Sequence, residues 1–494
     1  MTDTFVAPAA DDATPVEPSL PDGWELIVGL EVHVELHTTT KLFCGCPNAF
    51  GSEPNTNVCP TCLGLPGSLP VMNEKAVELA MTLGRALGCT VNRSVMARKN
   101  YFYPDMPKDY QVTQYEEPTS TDGVLVLGDG FPVGIERAHI EEDTGKSTHV
   151  GGGGRINDAL HSLVDYNRAG VPLVEIVGRP DIRTIEHARA YVDELRAILL
   201  ATGVSDARME EGSMRVDANV SVRPRGSDEL RTRCEIKNVN SVRSLARAIE
   251  YEARRHVDLY DSGEAPRQET RHWDEEGGRT TPGRSKEDAD DYRYFQEPDL
   301  VPLEPTDAEV AAIDDALPSL PAARRAALAT ATGADADTVA LLVSRGQDEL
   351  ALGAVEAGGE PAKVITRMVN DLAVDDHSRV TPADLAALVT METTGELTAT
   401  QAKQVLADMV EQGGDPAAHA AARGFEAMAD DELGTLVDGL IAEHPDEWQR
   451  FCSGDDGDRK KMQGFFTGQI MKATRGQADG RAVAEALGRR AAEA

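Results

Sequence analysis

Between Leu26 and Leu36 the sequence alternates without a break. Leu30, Val32, Val34 and Leu36 fall on one face of an extended chain, and Glu31, His33 and Glu35 fall on the other. This period requires a strand with one buried face. Its polar face would ordinarily meet water. Same-face neighbours on a strand stand roughly 7 Å apart, so a run of acid and imidazole groups can also share a cation. What accompanies the strand decides between the two.

Two more segments share the pattern. In Arg215–Arg223, Arg215, Asp217, Asn219 and Ser221 oppose Val216, Ala218, Val220 and Val222. In Arg233–Lys237, Arg233, Glu235 and Lys237 share a side. One polar-faced strand is ordinary. Three, each with a carboxylate beside His, Arg, Asn or Lys, predict an antiparallel sheet whose open face is a charged cleft. Oxygen ligands with water select Mg²⁺, and neighbouring bases such as Arg215 and Lys237 would hold phosphates.

Other stretches add candidates. Arg98–Tyr115 is dense in aromatic and amide side chains, and Arg98 and Lys99 in it suit a nucleotide or polynucleotide cleft, or a buried aromatic loop. Glu141, Glu142 and Asp143 stand beside Lys146 and read as the rim of a metal–phosphate site. The Gly145-Lys146-Ser147 ending is no P-loop, because Ile140 occupies the position where the first glycine is needed. Arg284–Glu287 and Asp290–Phe295 supply further basic groups.

Cys44-Gly-Cys46 and Cys59-Pro-Thr-Cys62 place four thiols on two tight turns. That set predicts a closed, structural Zn²⁺ site with no open position for catalysis. Cys89, Cys234 and Cys452 are expected to be small core residues.

The 494 residues suffice for two to four domains. Residues 1–22, mostly Ala, Pro, Asp and Thr, read as a disordered acidic arm. Residues 23–305 carry strands and glycine turns and predict an α+β catalytic domain with the zinc loop. Three prolines between Glu297 and Pro305 mark its end. Beyond them lie a helical domain, 306–380, and a helical tail, 381–494, with amphipathic tracts at 366–376, 382–391 and 400–412.

The chain carries 49 Lys and Arg against 84 Asp and Glu, a formal charge of −35. This is the wrong overall sign for nucleic acid, and its even spread is read as adaptation to the salt-rich cytosol of a halophilic, archaeal host. Arg459–Arg475 is the basic island of this acidic chain and predicts contact with an RNA backbone. No apolar run reaches the roughly 20 residues of a membrane span, and no signal peptide opens the chain, so a cytoplasmic protein is expected.

Taken together, Val28–Leu36, Arg98–Pro104, Glu141–Ser147, Asp165–Val177, Met209–Asn219, Lys237–Ser241, Asp291–Phe295 and Gly464–Gln477 resemble, in order, the B subunits of aspartyl/glutamyl-tRNA amidotransferases. The resemblance runs from about residue 24 to residue 485. It implies a cradle-shaped catalytic domain, a helical domain and a tail that contacts tRNA. It also implies partners, an amidase A subunit that releases ammonia from glutamine and a small C subunit. ATP would phosphorylate the side-chain carboxylate of mischarged Asp-tRNA(Asn) or Glu-tRNA(Gln), and ammonia would displace the phosphate. The family's Mg²⁺ ligands map onto Glu31, His33, Glu142, Asp217 and Glu235, whereas strand parity from Arg137 and His139 favours Glu141. The zinc quartet occurs in only part of the family. An archaeal host would tilt the substrate toward Asp-tRNA(Asn). The related E subunit carries an inserted domain for which this chain has no room. A non-catalytic tRNA scaffold and a metal hydrolase are the rival readings.

Overall fold

The computed structural model describes residues 20–151, 159–283, 292–373, 376–425, 430–453, 456–473 and 480–493. Residues 1–19 of the acidic arm lie outside them, as do Arg284–Glu287, Asp290, Asp291, Thr474 and Arg475. The chain forms two compact units, Met1–Pro321 and Ala322–Ala494.

The strands of the first unit are β1 (Trp24–Glu35), β2 (Thr90–Val91), β3 (Ala97–Asn100), β4 (Tyr110–Thr113), β5 (Ser120–Val126), β6 (Pro132–Glu142) and β7 (Lys146–Val150). They continue with β8 (His161–Asp165), β9 (Pro172–Gly178), β10 (Met214–Pro224), β11 (Cys234–Lys237), β12 (Thr270–Asp274), β13 (Arg279–Pro282) and β14 (Phe295–Gln296). Nine form one sheet in the order β13-β12-β11-β10-β1-β9-β6-β5-β2. It is antiparallel except where β11 meets β12. A second sheet runs β14-β3-β4, and β7 pairs with β8 alone.

The sheet is organised by burial on one side. Leu30, Val32 and Val34 of β1 and Val216 and Val220 of β10 share a core with three helices, α1 (Glu74–Ala86), α2 (Ile185–Thr202) and α3 (Val242–Asp261). Leu79 and Leu83, Tyr191, Leu195 and Leu199, and Leu245, Ile249 and Val257 are the helical side of that core. Each fully buried Leu or Val contributes about 1.5–3 kcal/mol, and a one-residue slip of β1 would drive Glu31, His33 and Glu35 into the core. The register is therefore fixed. α2 starts where Thr184 accepts a hydrogen bond from the His187 amide and stops at Gly203, whose φ of 67° is left-handed.

A bulge in β6 between Ile135 and Arg137 changes which residues face inward. Before it Val133 and Ile135 are in the core; after it Ala138 and Ile140 are. Arg137, His139 and Glu141 thus take the polar face.

The first unit runs past the proline break because α4 (Asp307–Ala316) belongs to it. Arg85 of α1 pairs with Asp314 at 2.7 Å, and Ile313 is buried. Leu317 and Leu320 also pack against the first core, so the division falls at residue 321 rather than 305.

The second unit is helical. Its first part holds α5 (Pro321–Thr332), α6 (Ala336–Ser344), α7 (Asp348–Glu356), α8 (Pro361–Asp371), α9 (Pro382–Thr393), α10 (Ala399–Gln412) and α11 (Pro416–Ala422). One core joins Leu328, Val364, Met368, Leu385, Leu388 and Leu406, so the helices on either side of residue 380 pack together rather than separating there. A second core unites Leu433, Val437, Phe466, Ile470 and Leu487, from α12 (Asp430–Glu443), α13 (Pro445–Ser453), α14 (Asp456–Ala473) and α15 (Gly480–Glu493).

Candidate functional site

The free face of the nine-stranded sheet carries the polar side chains in rows. Strand register puts Glu31 opposite Asp217 and His33 opposite Arg215 on one side of β1. On its other side His33 faces Glu175 of β9, and Glu175 faces His139 of β6. Asn219 of β10 faces Glu235 of β11, and Glu235 faces Thr270 of β12. These rows floor a cleft of about 520 Å³ lined by Glu31, His33, Glu141, Glu175, Glu235 and Lys237, with Lys99 among the aromatic groups of its wall.

The contacts are close. His33 Nε2 stands 3.5 Å from Glu141 Oε1 and 3.9 Å from Glu175 Oε2, and His139 Nε2 stands 3.2 Å from the same Glu175 oxygen. Lys237 Nζ lies 2.6 Å from Asp217 and 3.4 Å from Glu235. Asn219 donates to Glu31 at 2.9 Å, and Thr270 donates to Glu235 at 2.7 Å.

Burial and crowding shape the charges. Burial, reinforced by the Glu175 carboxylate, pushes Glu141 up to about 8. Burial opposes ionisation of Glu175 too, but His139 and His33 hold it well below the usual range. Burial lowers His33, which favours the neutral imidazole that a metal needs. Lys237 is raised against burial by Asp217 and Glu235. A surplus of acids at such distances fits a divalent cation, and ligand atoms of His33, Glu141 and Glu175 all lie within 4.8 Å of one another.

Of the residues singled out in the sequence, Glu31, His33, Asp217, Glu235, Lys237 and Lys99 come together here. Arg215 borders the group and is bound to Asp143 at 3.0 Å. Glu142 does not join it. Its carboxylate accepts from Lys108 Nζ and from the Val112 amide at 2.8 Å, and the neighbour with correct parity, Glu141, stands beside His33. Arg98 is also elsewhere, because its guanidinium grips buried Glu297 at 2.7 and 2.8 Å. Lys146 is exposed on β7 in the separate two-stranded sheet.

Glu175 and His139 went unassigned in the sequence. Glu175 is the one acid in Pro172–Val177, otherwise an apolar run. A buried carboxylate there is costly without partners, and that cost is the signal that marks it. Tyr101, Tyr103, Tyr292 and His272 also line the cleft, and Lys99 sits 4.7 Å over the Tyr292 ring.

The cysteine quartet forms a second centre. All four Sγ atoms lie within 4.8 Å of one another, and Cys59 and Cys62 sulfurs are 3.8 Å apart. A tetrahedron with zinc–sulfur bonds of about 2.3 Å has edges of about 3.8 Å, so these thiols fit zinc as they stand. The Cys44 hydrogen bond pulls the Cys62 thiol down to about 5, while that same bond pushes Cys44 up and burial pushes Cys46 up to about 11, so one thiolate forms readily and a metal would displace protons from the others.

Residues 26–311 match the model of the GatB/GatE catalytic domain, and residues 360–490 match that of the GatB domain. The B subunit of the aspartyl/glutamyl-tRNA(Asn/Gln) amidotransferase of Frankia casuarinae is 48% identical, with 98% of each chain covered. Its counterpart from Nocardia farcinica is 48% identical over 94% of this chain and 95% of its own. That from Nocardioides sp. is 46% identical over 99% of both. These relatives are bacterial, which does not bear out the archaeal source read from the acidic charge.

Proposed function

The chain belongs to the family of aspartyl/glutamyl-tRNA amidotransferase B subunits, and from that premise we propose that the acid-lined cleft is where ATP activates an aminoacyl carboxylate. The protein is one component of a glutamine-dependent carbon–nitrogen ligase that acts on tRNA. The reaction amidates the side chain of Asp-tRNA(Asn) or Glu-tRNA(Gln). A carboxylate oxygen attacks the γ-phosphorus of ATP and the bond to ADP breaks. Ammonia then attacks the acyl carbon, phosphate leaves, and loss of a proton gives the amide.

Glu31, His33, Glu141, Glu175, Asp217 and Glu235 are the residues that would hold Mg²⁺. When bound, the ion neutralises charge on the transferring phosphoryl group. Lys99 and Lys237 face the same space and supply positive charge to the phosphates. Glu175 orients His139 and His33 by its position between them. Glu141 and Glu235 are buried in the cleft floor, where a lower dielectric strengthens their interactions. No protein nucleophile is needed, so ammonia is made in a partner chain, the amidase A subunit, with a small C subunit completing the complex. The four cysteines would hold a structural zinc.

Arg459, Lys460, Lys461 and Lys472 are exposed on α14, and we assign this row to the tRNA backbone. Among the described residues no helix is long and apolar enough to cross a membrane, in keeping with work in the cytoplasm.

The convergence of carboxylates from β1, β6, β9, β10 and β11 on one sheet face, with Lys237 among them and Lys99 of β3 in the cleft wall, carries this reading. The test is amidation of mischarged tRNA with free ammonia by the assembled enzyme carrying Asp217→Ala or Glu235→Ala. The expected fall is about a hundred- to a thousandfold, with glutamine hydrolysis retained. Survival of amidation in both variants would leave a scaffold, not a catalyst.

A further inference from the structure

Between the two cysteine pairs the chain runs out through residues 47–58, and none of these is buried. An arm without an apolar anchor has little to hold it except its base and its polar contacts. Asn48 ties its start to Leu36, Thr38 and Thr39, and the contacts of Glu53, Asn55 and Asn57 with other segments centre on the turn between β8 and β9. The Asn55 amide donates to Asp165 at 2.9 Å, the Asn55 side chain donates to the Val164 carbonyl at 3.1 Å, and the Tyr166 amide donates back to Asn55 at 2.8 Å. The Asn57 amide donates to the Asn167 side chain at 2.8 Å, and that side chain donates to the Glu53 carbonyl at 2.7 Å. Asn55 takes a left-handed φ of 60° to do this, a conformation asparagine tolerates better than most residues.

Lys41 closes the seam from below. It is 1% exposed, and its ammonium donates to the Asn57 carbonyl at 2.8 Å and the Tyr166 carbonyl at 3.2 Å. It therefore touches the arm and the turn at once.

The turn leads into the cleft. Arg168 donates to the carbonyls of Thr144 and Gly145, both at 3.0 Å, and stands 3.3 Å from Asp143. The Asp143 amide donates to the Val171 carbonyl at 2.8 Å, and its carboxylate meets Arg215 at 3.0 Å. Glu141 lies two residues before Asp143, at the end of β6. Hydrogen bonds linked by short stretches of chain thus run from the arm through the turn to Asp143, two residues from Glu141 in the cleft.

We propose that the cysteine-clipped arm is a positioning clamp: it fixes the Asp165–Arg168 turn and so sets where Glu141, Asp143 and Arg215 stand for cation and ATP binding. This rests on the cleft being the ATP and cation site. Zinc would close the base of the arm, Asn55 and Asn57 are its teeth, Asn167 in the turn is what they hold, and Arg168 transmits the grip.

The assembled enzyme is compared in three forms: wild type, Cys59→Ser stripped with a chelator, and Asn167→Ala with its zinc content measured. Hydrogen exchange is followed at 141–145, 164–168 and α3, and amidation with ammonia is titrated with Mg²⁺. Both altered forms are expected to exchange faster at 141–145 and 164–168, with α3 unchanged. Both are expected to need about ten- to a hundredfold more Mg²⁺. Asn167→Ala keeps its zinc, and combining the two changes adds nothing further. Faster exchange confined to 44–62, with an unchanged Mg²⁺ requirement, overturns the clamp. Should Cys59→Ser fail to fold, Asn167→Ala decides alone, since an unchanged Mg²⁺ requirement and unchanged exchange at 141–145 sink the proposal. A wild-type enzyme indifferent to Mg²⁺ would instead sink the reading of the cleft, and the exchange data would still judge the clamp.

Discussion

Glu252 of α3 offers a stability prediction that can be worked through. It is fully buried on the helix that backs the sheet. Its carboxylate meets Arg255 and His256, accepts from Thr280 at 2.7 Å, and lies 3.4 Å from Arg271 of β12. Burial pushes its pKa up, but His256 and Arg255 outweigh that and bring it down to about 2. Relative to the usual 4.5, this makes the ionised form worth about 3 kcal/mol to the fold. The folded value is depressed, so the contribution is complete above pH 4.5 and disappears as pH falls through about 2. Glu252→Gln keeps the shape and removes the charge. The variant should be less stable by about 3 kcal/mol at pH 7, by about 2 at pH 3.5 and by under about 1 at pH 2.5. At neutral pH the melting point should drop by roughly 3–5 °C. Urea unfolding of both proteins at each pH measures the gap, and acids common to the two cancel. A gap that stays constant down to pH 2.5, or is absent at pH 7, refutes this account of the α3–β12 junction.

Glu142→Gln should weaken unfolding resistance through Lys108 by about 1–3 kcal/mol while leaving the Mg²⁺ requirement within about twofold, whereas Glu141→Gln should raise that requirement about ten- to a hundredfold; Mg²⁺ titration of ammonia-dependent amidation separates them. Replacing Lys460 and Lys461 of α14 by Ala should weaken tRNA binding at low salt and reduce the slope of log affinity against log salt by about 2. Binding measured across a salt series checks this, and an unchanged slope would remove α14 from the tRNA contact.

The alternating strands were legible because their two faces have opposite chemistry, and register alone then brings Glu31 to Asp217 and Asn219 to Glu235. The cysteine spacing was legible for a similar reason, since few other structures use four thiols on two turns. Glu175 was hidden by its apolar neighbours, which read as a buried strand. The bulge before Arg137 left no mark in composition, but counting parity from Arg137 lands on Glu141, and the structure puts that residue beside His33. Arg98 looked like a phosphate ligand because nothing nearby claims it; Glu297, which does, is 199 residues away in the chain. In the helical unit the amphipathic tracts correspond to α8, α9 and α10, but short Ala-rich helices such as α5 and α11 carry too little contrast between faces to be read. The boundary drawn at residue 380 fails because the pairing of Met368 with Leu385 and Leu388 in one core is a tertiary fact.

Manganese can stand in for magnesium and is seen directly by electron paramagnetic resonance. Titrating the purified complex with Mn²⁺ in the presence of a non-hydrolysable ATP analogue tests whether the sheet face is the cation and nucleotide site. Wild type should retain bound Mn²⁺, and His33→Ala, Glu141→Gln and Asp217→Asn should each weaken it by about ten- to a hundredfold. Undiminished binding in all three variants would contradict the assignment of the cleft.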